Sequence, residues 1–182
     1  SLVSPLARRS ATIRVTTLDG GTSELPPETI AALRASLRGP VLTDGDPGYE
    51  DSRTVWNAMI DRRPGLIVRC TGTADVLHAV RFARQHQFLV SVRGGGHNIA
   101  GLAVSDGGFL IDVSMMRSVR VDPVARLVRV ESGALLGDVD HECQAFGLAT
   151  PLGVNSTTGV AGLTLGGGIG HGLQTGGAEA VD

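Results

Sequence analysis

The 182-residue chain contains no lysine; all 16 of its positive charges are arginine. A GC-rich coding sequence accounts for the bias, but the absence has a chemical consequence. A Walker-type phosphate loop needs its lysine, so the standard P-loop is excluded. The protein-kinase glycine loop is excluded with it, because its catalytic lysine is equally missing. Cysteine is nearly absent: Cys70 and Cys143 stand far apart and no CxxC occurs. Two thiols make no disulfide framework in a chain this long, and both read as buried free thiols. No apolar run approaches the ~20 residues of a membrane helix. Arg8-Arg9 is not followed by the apolar core of a signal peptide. The expectation is a soluble, cytoplasmic protein with no membrane partner. The net charge is −2 and no basic stripe interleaves with aromatics, so nucleic acid is not expected as a partner either. The histidines at 78, 86, 97, 141 and 171 form no HExxH, and no metal site is expected.

What is present is globular in character: 42% hydrophobic and 19% charged residues, enough to bury a core. Residues 1–25 read as irregular and polar. Pro26-Pro27-Glu28 opens a helix to about Leu37, with Ile30, Leu33 and Leu37 on one stripe. Val41-Leu42 is a short strand, and Glu50 to Met59 holds a helical turn or two with Val55 and Trp56. From Leu66 strands and helices alternate. Leu66–Cys70 is a strand. Thr73 caps a helix from Ala74 to about Gln87, with Val76, Leu77, Val80 and Ala83 facing inward. Phe88–Val92 and Phe109–Asp112 are strands. Val119–Val121 and Leu127–Val130 straddle Asp122-Pro123 as a hairpin-like pair. Leu135–Phe146 is a helix bearing Leu136, Val139, Cys143 and Phe146, stopped by Gly147.

Glycine is abundant at 26 residues, and two stretches concentrate it. The first is Arg93-Gly94-Gly95-Gly96-His97-Asn98, at the end of a strand. Consecutive glycines let the backbone approach a ligand closely, and successive N–H groups in such a turn form an anion cradle. Arg93 adds charge, and His97 stands at the exit as a neutral nucleophile or ligand. The second runs from Gly153 to Gly170, small, neutral and apolar, with hydroxyls at Ser156, Thr157 and Thr164. A backbone this bare can lie flat against a large planar ligand. Neither stretch has the nicotinamide register G-x-G-x-x-G: from Gly94 and Gly96 the last position is Ile99, and from Gly166 and Gly168 it is His171.

Together the two stretches resemble the flavin-binding half of the vanillyl-alcohol-oxidase superfamily, with its PCMH-type FAD-binding domain. The closer likeness is to the berberine-bridge-enzyme-like and 6-hydroxynicotine-oxidase-like branch. Asp106-Gly107-Gly108, Ile111-Asp112-Val113-Ser114-Met115-Met116 and Ala145-Phe146-Gly147-Leu148-Ala149 agree, in order and spacing, from about Asp46 to Gly170. The resemblance implies an α+β fold of two small subdomains with mixed sheets flanked by helices, the first ending near Leu148 and the second incomplete. It implies a lead-in over residues 1–60 and an FAD-binding domain over 61–182.

The implied cofactor is FAD. The resemblance assigns Arg93, Gly94, Gly95, Gly96, His97, Asn98 and Ile99 to the pyrophosphate and flavin. It assigns Ser156, Thr157, Gly159, Ala161, Gly162, Leu163, Thr164, Gly166 and Gly167 to the adenosine and isoalloxazine. His97 falls where members of the family form an 8α-histidyl bond to the flavin. Some relatives carry a second bond through a cysteine two residues after a glycine such as Gly153; Asn155 occupies that position here, so attachment is expected through His97 alone. The implied reaction is hydride transfer from a small organic substrate to FAD, with O2 as acceptor. After Gly170 the family continues with an aromatic and a Lys/Arg-Tyr-Gly-Leu stretch, whereas this chain reads His171-Gly172-Leu173-Gln174. With Ser1 at its start, the chain reads as a fragment or a truncated product. No catalytic acid or base is named, and the alternative is a non-catalytic domain with weak or no FAD binding.

Overall fold

The computed structural model describes residues 12–168. It begins with an antiparallel hairpin, β1 (Ile13–Thr16) and β2 (Thr22–Leu25), in which Ile13 stands opposite Leu25. This corrects the expectation of an irregular N-terminal stretch. Val15 and Leu25 are buried, and the hairpin docks through Thr16 N–H to Gly107 O and Leu89 N–H to Thr16 O. Helix α1 (Pro27–Ser36) follows, burying Ile30 and Leu33 as its stripe predicts.

The central sheet has the order β3-β4-β6-β5, from β3 (Val41–Leu42), β4 (Leu66–Arg69), β5 (Val90–Arg93) and β6 (Phe109–Asp112). β3 is antiparallel to β4; β4 and β5 both run parallel to β6. Strands covered on both faces read as continuous apolar runs, and β4 and β6 do. Leu66, Val68, Phe109 and Ile111 enter one core with Val15, Leu25, Ile30 and Leu33. Ile67 and Leu110 enter a second core with Leu42, Tyr49, Val55 and Val104. Residues before 60 therefore contribute to both cores. Tyr49 opens the short helix α2 (Tyr49–Arg53), is buried, and donates its hydroxyl to Pro64 O at 2.6 Å. Burial pushes its pKa up to about 12.

Helix α3 (Thr73–Gln85) crosses from β4 to β5. It buries Asp75, Ala79 and Ala83 and packs Val76 against the core, whereas Leu77 and Val80, also expected inward, are about half exposed. The N-cap is Gly72, and Thr73 makes no side-chain cap. The binding is done by Asp75, whose carboxylate accepts the N–H groups of Thr71, Arg38 and Gly39 and the Thr71 hydroxyl, all at 2.8–3.1 Å. Burial pushes this carboxyl up, but the donors outweigh it and hold it below its ordinary value. A second hairpin, β7 (Val119–Asp122) with β8 (Leu127–Val130), precedes α4 (Leu136–Gln144). Leu136, Val139 and Cys143 are buried on α4, while Phe146, beyond its end, is half exposed. The last described element is α5 (Val160–Leu165). The segment expected to lie flat is thus partly helical. Among the described residues no helix is long and apolar enough to cross a membrane.

Candidate functional site

The sheet delivers the first glycine stretch as β5 ends. Arg93 is the last residue of β5 and stands opposite Asp112 of β6. The next three residues leave the sheet, and Gly96 takes φ +72°, a left-handed conformation that glycine adopts without steric cost. Among the described residues, the N–H groups of Gly95, Gly96 and His97 find no protein acceptor. The turn thus carries free donors, as an anion cradle requires.

The second stretch is brought to the first by α4. Leu136 N–H donates to Thr158 O at 2.9 Å, Gly137 N–H to Ser156 O at 3.0 Å, and Val160 N–H to Ala134 O at 3.0 Å. This clamps residues 156–160 against Gly95. A Cβ on Gly159 would lie 2.5 Å from Gly95 N, and one on Gly95 would meet the Gly159 backbone. The two stretches are in backbone contact, which only a pair of glycines permits.

Between them lies a cavity of about 590 Å³, within the size range of organic-cofactor sites. Residues 94–100 with Val92, Leu102 and Ala103 form one wall; Thr158, Gly159, Gly162, Leu163, Gly166 and Gly168 form the other. The structure therefore brings Gly94, Gly95, Gly96, His97, Asn98 and Ile99 together with Gly159, Gly162, Leu163 and Gly166. Ser156, Thr157, Ala161, Thr164 and Gly167 do not line this cavity, although Thr157 touches it through His97.

Arg93 is also off the wall. Its Nη1 lies 3.4 Å from Asp112 Oδ1, and Arg69 Nε donates to Asp112 Oδ2 at 3.0 Å. Asp112 is fully buried and also accepts Ser114 N–H at 3.0 Å. Arg93 Nε is buried without a partner. Two guanidiniums on one carboxylate leave net positive charge beneath the glycine turn, a field that favours an anion in the cradle.

Around His97 the structure adds residues that sequence reasoning missed. The imidazole stacks on the Trp56 indole, with centroids 5.2 Å apart and planes at 21°. Trp56 N–H donates to Gly96 O at 3.1 Å, so the same residue braces the turn. Thr157 Oγ1 lies 3.1 Å from His97 Nε2. Leu102 N–H donates to Asn98 Oδ1 at 2.9 Å and closes the far end of the loop. Trp56 gives no local signal of this role, because its partner is far away in sequence. Neither His141, exposed beside Glu142, nor Tyr49, a core residue, reaches the site. Among the described residues no group of three His, Cys, Asp or Glu side chains could hold a metal ion.

Residues 64–180 match the family described as FAD binding domain. The chain is 37% identical over 135 residues to (R)-6-hydroxynicotine oxidase of Paenarthrobacter nicotinovorans, an alignment covering 74% of this chain and 30% of that protein. It is 34% identical over 122 residues to berberine bridge enzyme-like 8 of Arabidopsis thaliana, covering 64% of the chain and 23% of the relative. The structure of Phl p 4, a grass pollen allergen with glucose dehydrogenase activity, superposes with a TM-score of 0.73 at 31% identity, covering 79% of this chain and 32% of that one. The chain spans about a third or less of the length of these relatives.

Proposed function

Because the chain belongs to the FAD binding domain family, we propose that its residues 61–182 are the FAD-binding part of a flavin-dependent oxidoreductase. When bound, the flavin takes a hydride from a small organic substrate and passes the electron pair to dioxygen. The backbone contact between Gly95 and Gly159 carries this reading. It joins two glycine-rich walls around a cavity of about 590 Å³, with no Cβ at Gly94, Gly95, Gly96, Gly159, Gly162 or Gly166 to hold a planar cofactor off.

The chain's own residues divide the work. The free N–H groups of residues 95–97 would hold the pyrophosphate. Arg93 would contribute charge from beneath the turn while Asp112 keeps it in place. Gly162, Leu163 and Gly166 would cover the ring system on the opposite wall, in the segment that also carries Ser156, Ala161, Thr164, Gly167 and the Thr157 bonded to His97.

His97 would be the covalent tether. Its imidazole would supply the electron pair of a single N–C bond to the flavin C8-methyl carbon, and bond formation, with loss of one proton from each partner, would require dioxygen as the two-electron oxidant. Asn155 offers no thiol for a second bond.

The test is direct. The purified chain should be yellow, with absorbance near ~450 nm from bound flavin, and acid precipitation should leave the colour on the pellet. Flavin released into the supernatant would refute the tether but not the site. A colourless protein that takes up no added FAD would overturn the whole reading.

A further inference from the structure

The hydrogen bonds around His97 determine more than its position. Thr157 offers one hydroxyl proton, and two groups compete for it: Asn155 Oδ1 at 2.8 Å and His97 Nε2 at 3.1 Å. The identity of the Asn155 atom decides the competition. Thr157 backbone N–H donates to that same Oδ1 at 3.1 Å, and an amide NH2 could not accept it, so the atom is the carbonyl oxygen. Two oxygens 2.8 Å apart repel unless a proton lies between them, and the carbonyl oxygen has none to give, so the Thr157 hydroxyl proton points to Asn155. Its oxygen can then only accept from His97, which requires a proton on Nε2. A neutral imidazole has a single N–H, so the lone pair lies on Nδ1.

We infer that Asn155 and Thr157 are positioning residues that fix neutral His97 as its Nε2–H tautomer and so make Nδ1 its nucleophilic atom. Trp56 completes the arrangement by restricting the ring plane from one face. The inference rests on His97 being the attachment point proposed above. It gives Asn155 a positive role: it is the acceptor that orients the Thr157 hydroxyl. Without that acceptor the hydroxyl is free to donate to Nε2, which would stabilise the opposite tautomer and occupy the lone pair that attachment needs on Nδ1.

The experiment has two independent readouts on the 182-residue chain. The first uses 15N-histidine-labelled protein from riboflavin-depleted cells, at a pH where imidazole is neutral, with His97→Gln to identify the resonances. His97 should show a proton on Nε2 and an unprotonated Nδ1. Thr157→Val should shift it toward the tautomer mixture of free imidazole, and Thr157→Ser should restore the single form. The second follows acid-stable flavin after FAD is added. Thr157→Val should slow its appearance about tenfold, the size of losing one oriented hydrogen bond, with Thr157→Ser again restoring it. A proton on Nδ1 in the parent protein, or a Thr157→Val spectrum identical to the parent's, overturns the inference. If the parent protein takes up no covalent flavin, the tether reading falls and the nucleophilic role of Nδ1 falls with it, while the tautomer spectra still decide whether Asn155 and Thr157 fix the ring.

Discussion

Gly95 and Gly159 touch backbone to backbone, so the two glycine stretches form one structure rather than two loops that face each other. Neither position has room for a methyl group. Gly159→Ala should push the second wall away from the first, with a loss of at least about tenfold in FAD affinity, roughly 1.4 kcal/mol. Equilibrium titration of FAD fluorescence measures this. Gly72→Ala is the control, because a Cβ there meets open space and the residue lies off the cavity, at the start of α3; it should leave FAD affinity nearly unchanged.

Asp112→Ala should be severely destabilising. It removes the only buried carboxylate between Arg69 and Arg93 and leaves two guanidiniums facing each other without compensation. Breaking a buried pair in this way costs about 3–5 kcal/mol. Urea denaturation reads the loss, and Asp112→Asn should recover part of it by keeping an acceptor oxygen.

Asp75→Ala should cost about 2–3 kcal/mol, because it strands the N–H groups of Thr71, Arg38 and Gly39 at once. The same carboxylate sets an acid limit. Its folded pKa lies below its ordinary value, so its contribution is complete above the unfolded pKa and is lost as pH falls through the folded one. Urea midpoints measured from neutral to acid pH should fall more steeply in the parent than in Asp75→Asn.

Much of this framework was legible before any coordinates. β4 and β6 are unbroken apolar runs, α1 and α4 carry clear stripes, and Asp122-Pro123 marks the turn of the second hairpin. The first hairpin was not legible. Its strands have four residues each, and only Ile13, Val15 and Leu25 are apolar, so the pairing becomes visible only when Thr16 and Leu89 meet. On α3, Val76 and Ala83 face inward as the pattern predicts, but Asp75 and small Ala79 pack inward beside them, while the larger Leu77 and Val80 stay partly in water. At the site, glycine content marked both walls. The stacking of Trp56 on His97, and the turning of Arg93 toward Asp112, depend on β6 and α2 meeting β5, which no local pattern encodes.

At high pH the weak points are Tyr49 and Cys70. Burial pushes both pKa values up to about 12, from ordinary values of 10.0 and 9.0. A raised acid is stabilising while it stays neutral: the contribution is whole below the unfolded pKa and disappears as pH climbs to the folded one. Stability should therefore hold steady up to pH 9.0 and decline from there to about 12. Burial raises the Cys143 thiol as well, so Cys70→Ala should make the decline above pH 9.0 shallower, and removing both thiols should delay its onset toward the tyrosine range, as followed by thermal melts across that interval.

Trp56 is the only tryptophan in the chain, and it lies against the proposed tether. Its fluorescence should be strongly quenched when FAD enters, and the quenching should persist in His97→Ala. Emission that ignores added FAD would place the cofactor elsewhere.

The strand order carries a consequence for how the chain is made. β6 lies between β4 and β5 in space but follows both along the chain, and β4 and β5 do not pair with each other. A nascent chain emerging from the ribosome therefore has only the β3–β4 pair of the central sheet, and no place for β5, until Asp112 is out. The glycine turn that follows β5 must wait for β6 to arrive, and its opposite wall is translated later still. Capture of the proposed cofactor would thus be a late event in the synthesis of this segment, reached only after the scaffold has closed behind the turn.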